Sequence, residues 1–302
     1  MHIPDGFLDT KTWVTAATAS GGAVAYAVAK VNKGLEEKDP PLMGVLAAFI
    51  FAAQMLNFPV AGGTSGHFIG GALAAILLGP WKAILVMLSV ISVQALLFGD
   101  GGITALGANI LNLAIIAPLS AYWVYGALRR FSVPAGAFVA GLISTVIAAS
   151  AAAVELSVSG TVPLVLSMPI MAGWHLLIGI GEGIITAVTI GYIARVRSDL
   201  VTNTTGFDWR SLMVLAGVAS FLALFLSPLA SSLPDGLQRV AYELGFAKRG
   251  TGLFTALIPN YAIPGVKSEW LAGGLAGLVG ISATILIGYG VATAARRRSA
   301  GG

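Results

Sequence analysis

The sequence predicts an all-α polytopic membrane protein: a bundle of about seven helices with its amino terminus outside, followed by a two-helix hairpin, about nine spans in total. Three observations carry that prediction. Apolar runs of bilayer length recur along nearly the whole chain. Charged residues make up 10% of the sequence against 57% hydrophobic, with a mean hydropathy of +0.88, which excludes an ordinary soluble domain. The basic residues gather in clusters between the runs, where they read as topology signals; the net charge of +4 therefore does not imply a nucleic-acid partner.

The runs fall in order at Trp13 to Ala29, Leu42 to Leu56, His67 to Leu78, Ala83 to Phe98, Thr104 to Leu128, Pro134 to Ala153, Met171 to Ile193, Leu212 to Leu229 and Trp270 to Ala294. The third is too short for a ~30 Å hydrocarbon core, so a tilted or partial span after a re-entrant loop is expected there. With the amino terminus outside, Lys30, Lys33, Lys38, Lys82, Arg129, Arg130, Arg195, Arg197, Arg210 and Arg296 to Arg298 fall on the cytoplasmic side. The outside receives only Lys11, Arg239, Lys248, Arg249 and Lys267, so the orientation follows the positive-inside bias and the carboxyl terminus is cytoplasmic. The first dozen residues lack the basic start of a cleavable signal peptide.

Two parts are expected. A membrane bundle covers residues 1–197, and the polar stretch 198–210 has the composition of a cytoplasmic linker. Residues 211–302 form the hairpin. Its outer segment, Ala230 to Glu269, carries Pro234-Asp235-Gly236-Leu237-Gln238 and a short amphipathic stretch around Val240 to Phe246. No internal repeat is evident.

The most informative residues are Met1 and His2. A His in second position offers three nitrogens in succession: the terminal amine, the His2 amide once deprotonated, and the ring Nδ1. Amine and amide close a five-membered chelate ring and amide with Nδ1 a six-membered one, so the donors fall into a plane. Square-planar nitrogen coordination suits Ni(II) or Cu(II) rather than Zn(II). The bulk of His2 should leave Met1 untrimmed. Pro4 holds Ile3 extended and Pro4-Asp5-Gly6 is turn chemistry, which lets the first residues fold back as a rigid hook.

A fourth nitrogen is offered by His67, in Phe58-Pro59-Val60-Ala61-Gly62-Gly63-Thr64-Ser65-Gly66-His67-Phe68-Ile69-Gly70-Gly71, whose Gly and Pro permit a loop that dips into the membrane if protein covers it. His175 and Glu182 lie seven residues apart and share one helix face. Either they serve function, as ionisable groups inside a membrane commonly do, or they make a hydrogen bond inside the bundle. On this reading His175 lies near the outer boundary and assists access of metal, and Glu182 is structural or a partner contact. Asn109 is a candidate to orient an imidazole from outside the ligand set. Asp100, in Phe98-Gly99-Asp100-Gly101-Gly102, either gathers cations at the mouth or is a turn residue.

Several function classes are excluded. The absence of cysteine rules out disulfides, thiolate zinc sites and iron–sulfur clusters. The glycines before His67 are not followed by Lys-Ser/Thr, so they form no phosphate loop. An intramembrane metalloenzyme using His67, His175 and Glu182 is a remote alternative, and none of the three histidines has the four-residue spacing of a His-Glu-x-x-His pair.

Met1-His2-Ile3-Pro4-Asp5-Gly6-Phe7-Leu8, Gly63 to His67, Phe98 to Gly102, Gly107-Ala108-Asn109 and Gly181-Glu182-Gly183 resemble the substrate-specific subunit of nickel/cobalt energy-coupling-factor transporters, the CbiM/NikM family. Pro234 to Gln238, with Glu243-Leu244-Gly245-Phe246, resembles the accessory PDGLE component, with Gln238 in place of the final Glu. The resemblance implies a metal set of Met1, His2 and His67, no catalytic residue and no cofactor, with Ni2+ or Co2+ as cargo captured from outside. It implies as partners a transmembrane coupling subunit and cytoplasmic ABC ATPases in a plasma membrane, besides membrane lipid. Nickel is expected first, from the planar donors and the Pro4-Asp5 form of the amino-terminal motif. Cobalt uptake for cobalamin synthesis is the close alternative.

Overall fold

A computed structural model describes residues 1–32, 34–196 and 209–300. The elements, in chain order, are α1 (Thr10–Asn32), α2 (Asp39–Gln54), β1 (Phe58–Val60), β2 (Thr64–Gly66), α3 (Gly71–Leu78), α4 (Pro80–Phe98), α5 (Leu106–Leu128), α6 (Val133–Val158), α7 (Leu164–Val196), α8 (Trp209–Leu229), α9 (Gly236–Glu243) and α10 (Glu269–Ala300). Among the described residues, α4, α5, α6, α7, α8 and α10 are long and apolar enough to cross a membrane, so the chain is a polytopic membrane protein. The other expected runs correspond to α1, whose 23 residues are diluted by Thr, Ser and Gly, to the shorter apolar α2, and to α3 of 8 residues. Of the expected linker 198–210, only Trp209 and Arg210 lie within the described residues, and they open α8.

Small residues set how closely the helices approach. Ala137, Ala140, Ala148, Ala149, Ala152 and Ala153 give α6 a buried face, and Gly141 lies so close to Gly183 of α7 that a Cβ on it would stand 3.1 Å from the Gly183 Cα. The appended hairpin uses the same device against the core. A Cβ on Gly288 of α10 would stand 3.1 Å from the Cα of Gly44 in α2, and the ring of Phe51 fills the space beside Gly280. At the end of this contact Lys82 meets the buried Asp39 at 2.8 Å.

The structure departs from an all-helical reading where the glycine motif lies. β1 and β2 pair antiparallel, Val60 opposite Thr64 and Phe58 opposite Gly66. The turn between them uses Gly62 and Gly63, both with φ near +73°, which lets two β-branched residues close a tight hairpin. The third run does not become helix at His67. Gly70 adopts φ +81° and the helix begins at Gly71, leaving His67 on an extended loop just after β2.

Candidate metal centre

The first residues run back into the end of the bundle formed by the β1–β2 hairpin, residues 99–105 and the segment after α8. Ile3 is fully buried. Its N–H donates to Asn109 Oδ1 at 2.7 Å, and its carbonyl accepts from Asn109 Nδ2 at 3.0 Å and from Gly102 N at 2.9 Å. Asn109 thus pairs with the hook as a neighbouring strand would. Gly101, at φ +101°, lets the chain pass over His2, since a Cβ there would come within 2.8 Å of Asn109 Nδ2 and 3.2 Å of the His2 Cβ. Asp5 accepts from Thr104 N at 2.8 Å and Thr104 Oγ1 at 2.6 Å, fixing the Pro4-Asp5-Gly6 turn.

This anchorage brings together residues far apart in sequence. The Met1 amine lies 2.7 Å from His67 Nε2, and the rings of His2 and His67 are within 6° of parallel, 5.5 Å between centroids. Met1, His2 and His67 are exposed by only 4%, 8% and 9%. His67 Nδ1 donates to the Phe68 carbonyl at 3.1 Å; a carbonyl can only accept, so the proton sits on Nδ1 and the Nε2 lone pair faces the amine. Burial first, and then the neighbouring Met1 amine and His2, push the imidazole down from 6.5 to about 3, which keeps it neutral.

His2 Nδ1 faces Asp100 Oδ1 at 3.0 Å, while its Nε2 is buried without a partner. Asp100 is therefore a partner of the hook, not a turn residue alone. Burial pushes its carboxyl up, but the charge and hydrogen bond of His2 and a bond from the Tyr261 hydroxyl outweigh this and hold it well below the usual range.

Glu182 organises the loop that carries His67. Its two oxygens accept from Ile69 N at 2.6 Å and Gly70 N at 3.0 Å, and Gln54 Nε2 donates to the Ile69 carbonyl at 2.5 Å. These bonds hold His67 at the end of a short, doubly anchored chain. Glu182 is one side of that brace and does not itself reach the amine. His175 is almost fully buried, donates Nδ1 to Met171 O at 2.8 Å, and lines a small cavity with Met1, His67, Asp235 and Gly236. A Cβ at Gly236 would come within 2.8 Å of its Nε2, so only glycine allows the appended segment to lie there.

Two site residues were not singled out from sequence. Asp235 Oδ2 pairs with the Met1 amine at 3.1 Å. Burial pushes its carboxyl up, and the Met1 amine together with the Gln238 N–H outweighs that and holds it below the ordinary value. Asp235 also caps α9, its Oδ1 accepting from Gln238 N at 2.8 Å while Gln238 Oε1 accepts from Asp235 N at 3.3 Å. The signal was present: an Asp before a helix, in a motif expected on the same side as Met1. Tyr261 donates to Asp100 Oδ2 at 2.6 Å and carried no such signal. Among the described residues no cluster of three or more His, Cys, Asp or Glu side chains is disposed to hold a metal ion.

Residues 2–200 match the family model described as the CbiM cobalt uptake substrate-specific transmembrane region, and residues 209–297 match the PDGLE domain. The chain is 39% identical to the putative fused nickel transport protein NikMN of Archaeoglobus fulgidus over 302 residues, covering 98% of this chain and 99% of that one. The fused nickel transport protein NikMN of Rhodobacter capsulatus is 31% identical over 345 residues, with 98% of each chain covered. The putative cobalt transport protein CbiM 1 of Methanosphaerula palustris is 29% identical over 67% of this chain and 93% of its own. A crystal structure described as a transition metal transporter matches with a TM-score of 0.60 at 37% identity, covering 65% of this chain and 93% of that one.

Proposed function

The chain belongs to the CbiM family of substrate-specific transmembrane proteins, with a PDGLE domain fused behind it, and we propose that it captures Ni2+, or Co2+, as the substrate-binding membrane subunit of an ATP-driven energy-coupling-factor importer. It is a transport component and not an enzyme. The donors are the Met1 amine, the His2 amide and ring Nδ1, and His67 Nε2. The metal is cargo, taken from outside, and the coupling subunit and ABC ATPases are partners. The positive-inside distribution of Lys and Arg supports this sidedness. Six helices long and apolar enough to cross a membrane, among the described residues, support the multi-pass placement.

The observation that carries the proposal is the approach of the Met1 amine to His67 Nε2 at 2.7 Å. Metal–nitrogen bonds of about 2 Å place adjacent donors of a square about 2.8 Å apart. The neighbours are what a planar chelate requires. Protons occupy the positions where bonds to metal would form: an amine proton points at His67 Nε2, and the Nδ1 proton of His2 points at Asp100, since a carboxylate can only accept. Metal displaces these protons and the one on the His2 amide, so capture releases protons and weakens in acid. The chelate also gains from the buried, braced loop, because little freedom remains to be lost on binding.

Nickel is favoured over cobalt by the planar nitrogen set and by relatives whose names specify nickel and that align with both parts of this chain. The test is metal content of the purified full chain, with and without one extra residue ahead of Met1. The extension moves the amine out of reach of His67, and bound nickel should fall to background. Equal nickel in both preparations overturns the hook.

A further inference from the structure

We propose that Glu182 sets the metal selectivity of the hook by holding His67 in the plane of the other donors, and so favours Ni2+ over Zn2+; the inference rests on the reading of Met1, His2 and His67 as the metal set. The Met1 amine, the His2 amide and the His2 Nδ1 belong to one chelate of fused rings, so they stay near a plane with any ion. His67 comes from a different element. Whether the set is square or bent toward a tetrahedron is therefore decided by the one donor that covalent geometry leaves free. Ni(II) accepts a square of nitrogens, whereas Zn(II) has no such preference and commonly binds as a tetrahedron.

The bonds that place His67 avoid the nitrogen that meets the metal. Its Nδ1 donates to the Phe68 carbonyl at 3.1 Å and leaves Nε2 for the ion, so this arrangement persists when metal replaces the amine proton. The next two N–H groups, of Ile69 and Gly70, donate to the two oxygens of Glu182 at 2.6 and 3.0 Å. They lie just ahead of α3, where no helical carbonyl is available to them, and the carboxylate takes both. Gln54 Nε2 donates to the Ile69 carbonyl at 2.5 Å. Glu182 and Gln54 are buried, on α7 and α2. On the other side of His67, Ser65 donates its N–H to Pro234 O at 2.8 Å and its hydroxyl to Leu233 O at 2.7 Å. The loop is thus fixed before and after the ligand, and the His67 ring lies within 6° of the His2 ring. Held in this way, His67 can complete a square but cannot swing out of the plane to suit a tetrahedral ion.

Glu182 is thus a positioning residue for His67. Glu182→Gln keeps the size of the side chain but turns an amide N–H toward one of the two N–H groups. The full chain in lipid nanodiscs is titrated with Ni2+ and, separately, with Zn2+ against a chelator, and the visible absorption band of the bound nickel is recorded. In Glu182→Gln nickel binding should weaken about 10- to 100-fold, as loss of an outer partner commonly does. Zinc binding should fall much less, so the ratio of nickel to zinc affinity should drop about tenfold, and the nickel band should shift as the square distorts. Gln54→Met removes the other end of the brace and should move the ratio in the same direction. Equal losses of nickel and zinc in Glu182→Gln overturn the assignment, because the carboxylate would then serve folding alone; so does an unchanged ratio with an unshifted band. If Glu182→Gln yields no folded protein, Gln54→Met decides: a lowered ratio supports the assignment and an unchanged one overturns it. If an amino-terminal extension abolishes nickel binding while both variants keep the parent's ratio, only the selectivity assignment falls. If the extended protein binds nickel as tightly as the parent, the hook and this inference fall together.

Discussion

The first eight residues and the appended segment 230–268 reach the same buried site, and they are held there in different ways. In the hook nearly every polar group is paired: both backbone groups of Ile3, the carboxylate and carbonyl of Asp5, and the carbonyl of Phe7, which accepts from Thr161 Oγ1. The appended segment touches the core at separate points. Leu233 and Pro234 accept from Ser65, Asp235 meets Met1, and Tyr261 meets Asp100, while Leu253 and Leu257 between them are exposed. The hook is rigidly held, and the segment adds charge or restraint around it at Met1 through Asp235, at the Asp5 carbonyl through Thr251 N at 2.9 Å, at Phe7 through Phe246, and at Asp100 through Tyr261. Most of its residues beyond Phe246 are exposed, which marks the segment as the side with the lower cost of local opening.

The largest effect is expected where the hook is most tightly bound. Asn109→Ala strands the buried Ile3 N–H, a loss of about 1–3 kcal/mol, and frees the chain beside His2. Nickel affinity should fall by about 10-fold or more, since each 1.4 kcal/mol is tenfold. Chelator competition on the purified variant measures this. Unchanged affinity would mean that the hook does not depend on its clamp, and the contrast with the appended segment would collapse.

The appended side is separated into cap and charge by two substitutions of Asp235. Asp235→Ala removes the N-cap of α9, about 0.5–2 kcal/mol, together with the ion pair to Met1; Asp235→Asn keeps a capping oxygen and loses the charge. Hydrogen exchange of amides 236–243 should quicken in the first and stay near the parent in the second. Equal exchange in both would show that the charge on the amine, and not the cap, secures α9.

How much of this was legible follows from where the chemistry is carried. Consecutive residues bring their own geometry, so Met1, His2 and the Pro4-Asp5-Gly6 turn offered a possible chelate, the basis of the proposed metal set, in the sequence itself. His67 was found because it stands alone in a glycine-rich loop. The long apolar runs gave α4 to α8 and α10, with ends shifted by a few residues. The β1–β2 hairpin was hidden because its glycines also suit an irregular loop, and the helix start moved from His67 to Gly71 because Glu182, far along the chain, takes the N–H groups of Ile69 and Gly70. Asp235 meets Met1, and Tyr261 meets Asp100, across more than 160 residues of chain. For Asp235 the local pattern announces a helix cap but not its partner at Met1, and for Tyr261 it announces neither.

The environment of His67 gives a smaller, pH-dependent contrast. Its ring stays neutral in the folded protein down to about 3 against an ordinary 6.5, with burial as the main cause. Between those values the unfolded chain binds more protons, so stability rises with pH across the window and is lost as pH falls from 6.5 toward 3. His67→Gln should lessen the drop in melting temperature between about pH 7 and pH 5, measured on metal-free protein. An unaltered drop would assign the acid sensitivity to other groups.

The smallest effect is expected at Gln238, where the sequence departs from the PDGLE signature and a carboxylate that could have ferried metal is missing. The side chain is exposed, and its Oε1 accepts from the Asp235 N–H to complete the capping box. A Glu carboxylate offers the same acceptor, with a further few tenths of a kcal/mol from negative charge near a helix amino terminus. Gln238→Glu should therefore leave nickel affinity within about twofold and change stability by less than about 0.5 kcal/mol, as exposed substitutions usually do. Capping is a task either residue performs, and Asp235 already supplies the carboxylate that faces the amine. A several-fold rise in nickel affinity in Gln238→Glu would place the missing carboxylate on the path of the metal, and would make the appended segment a second binding surface rather than a brace for the first.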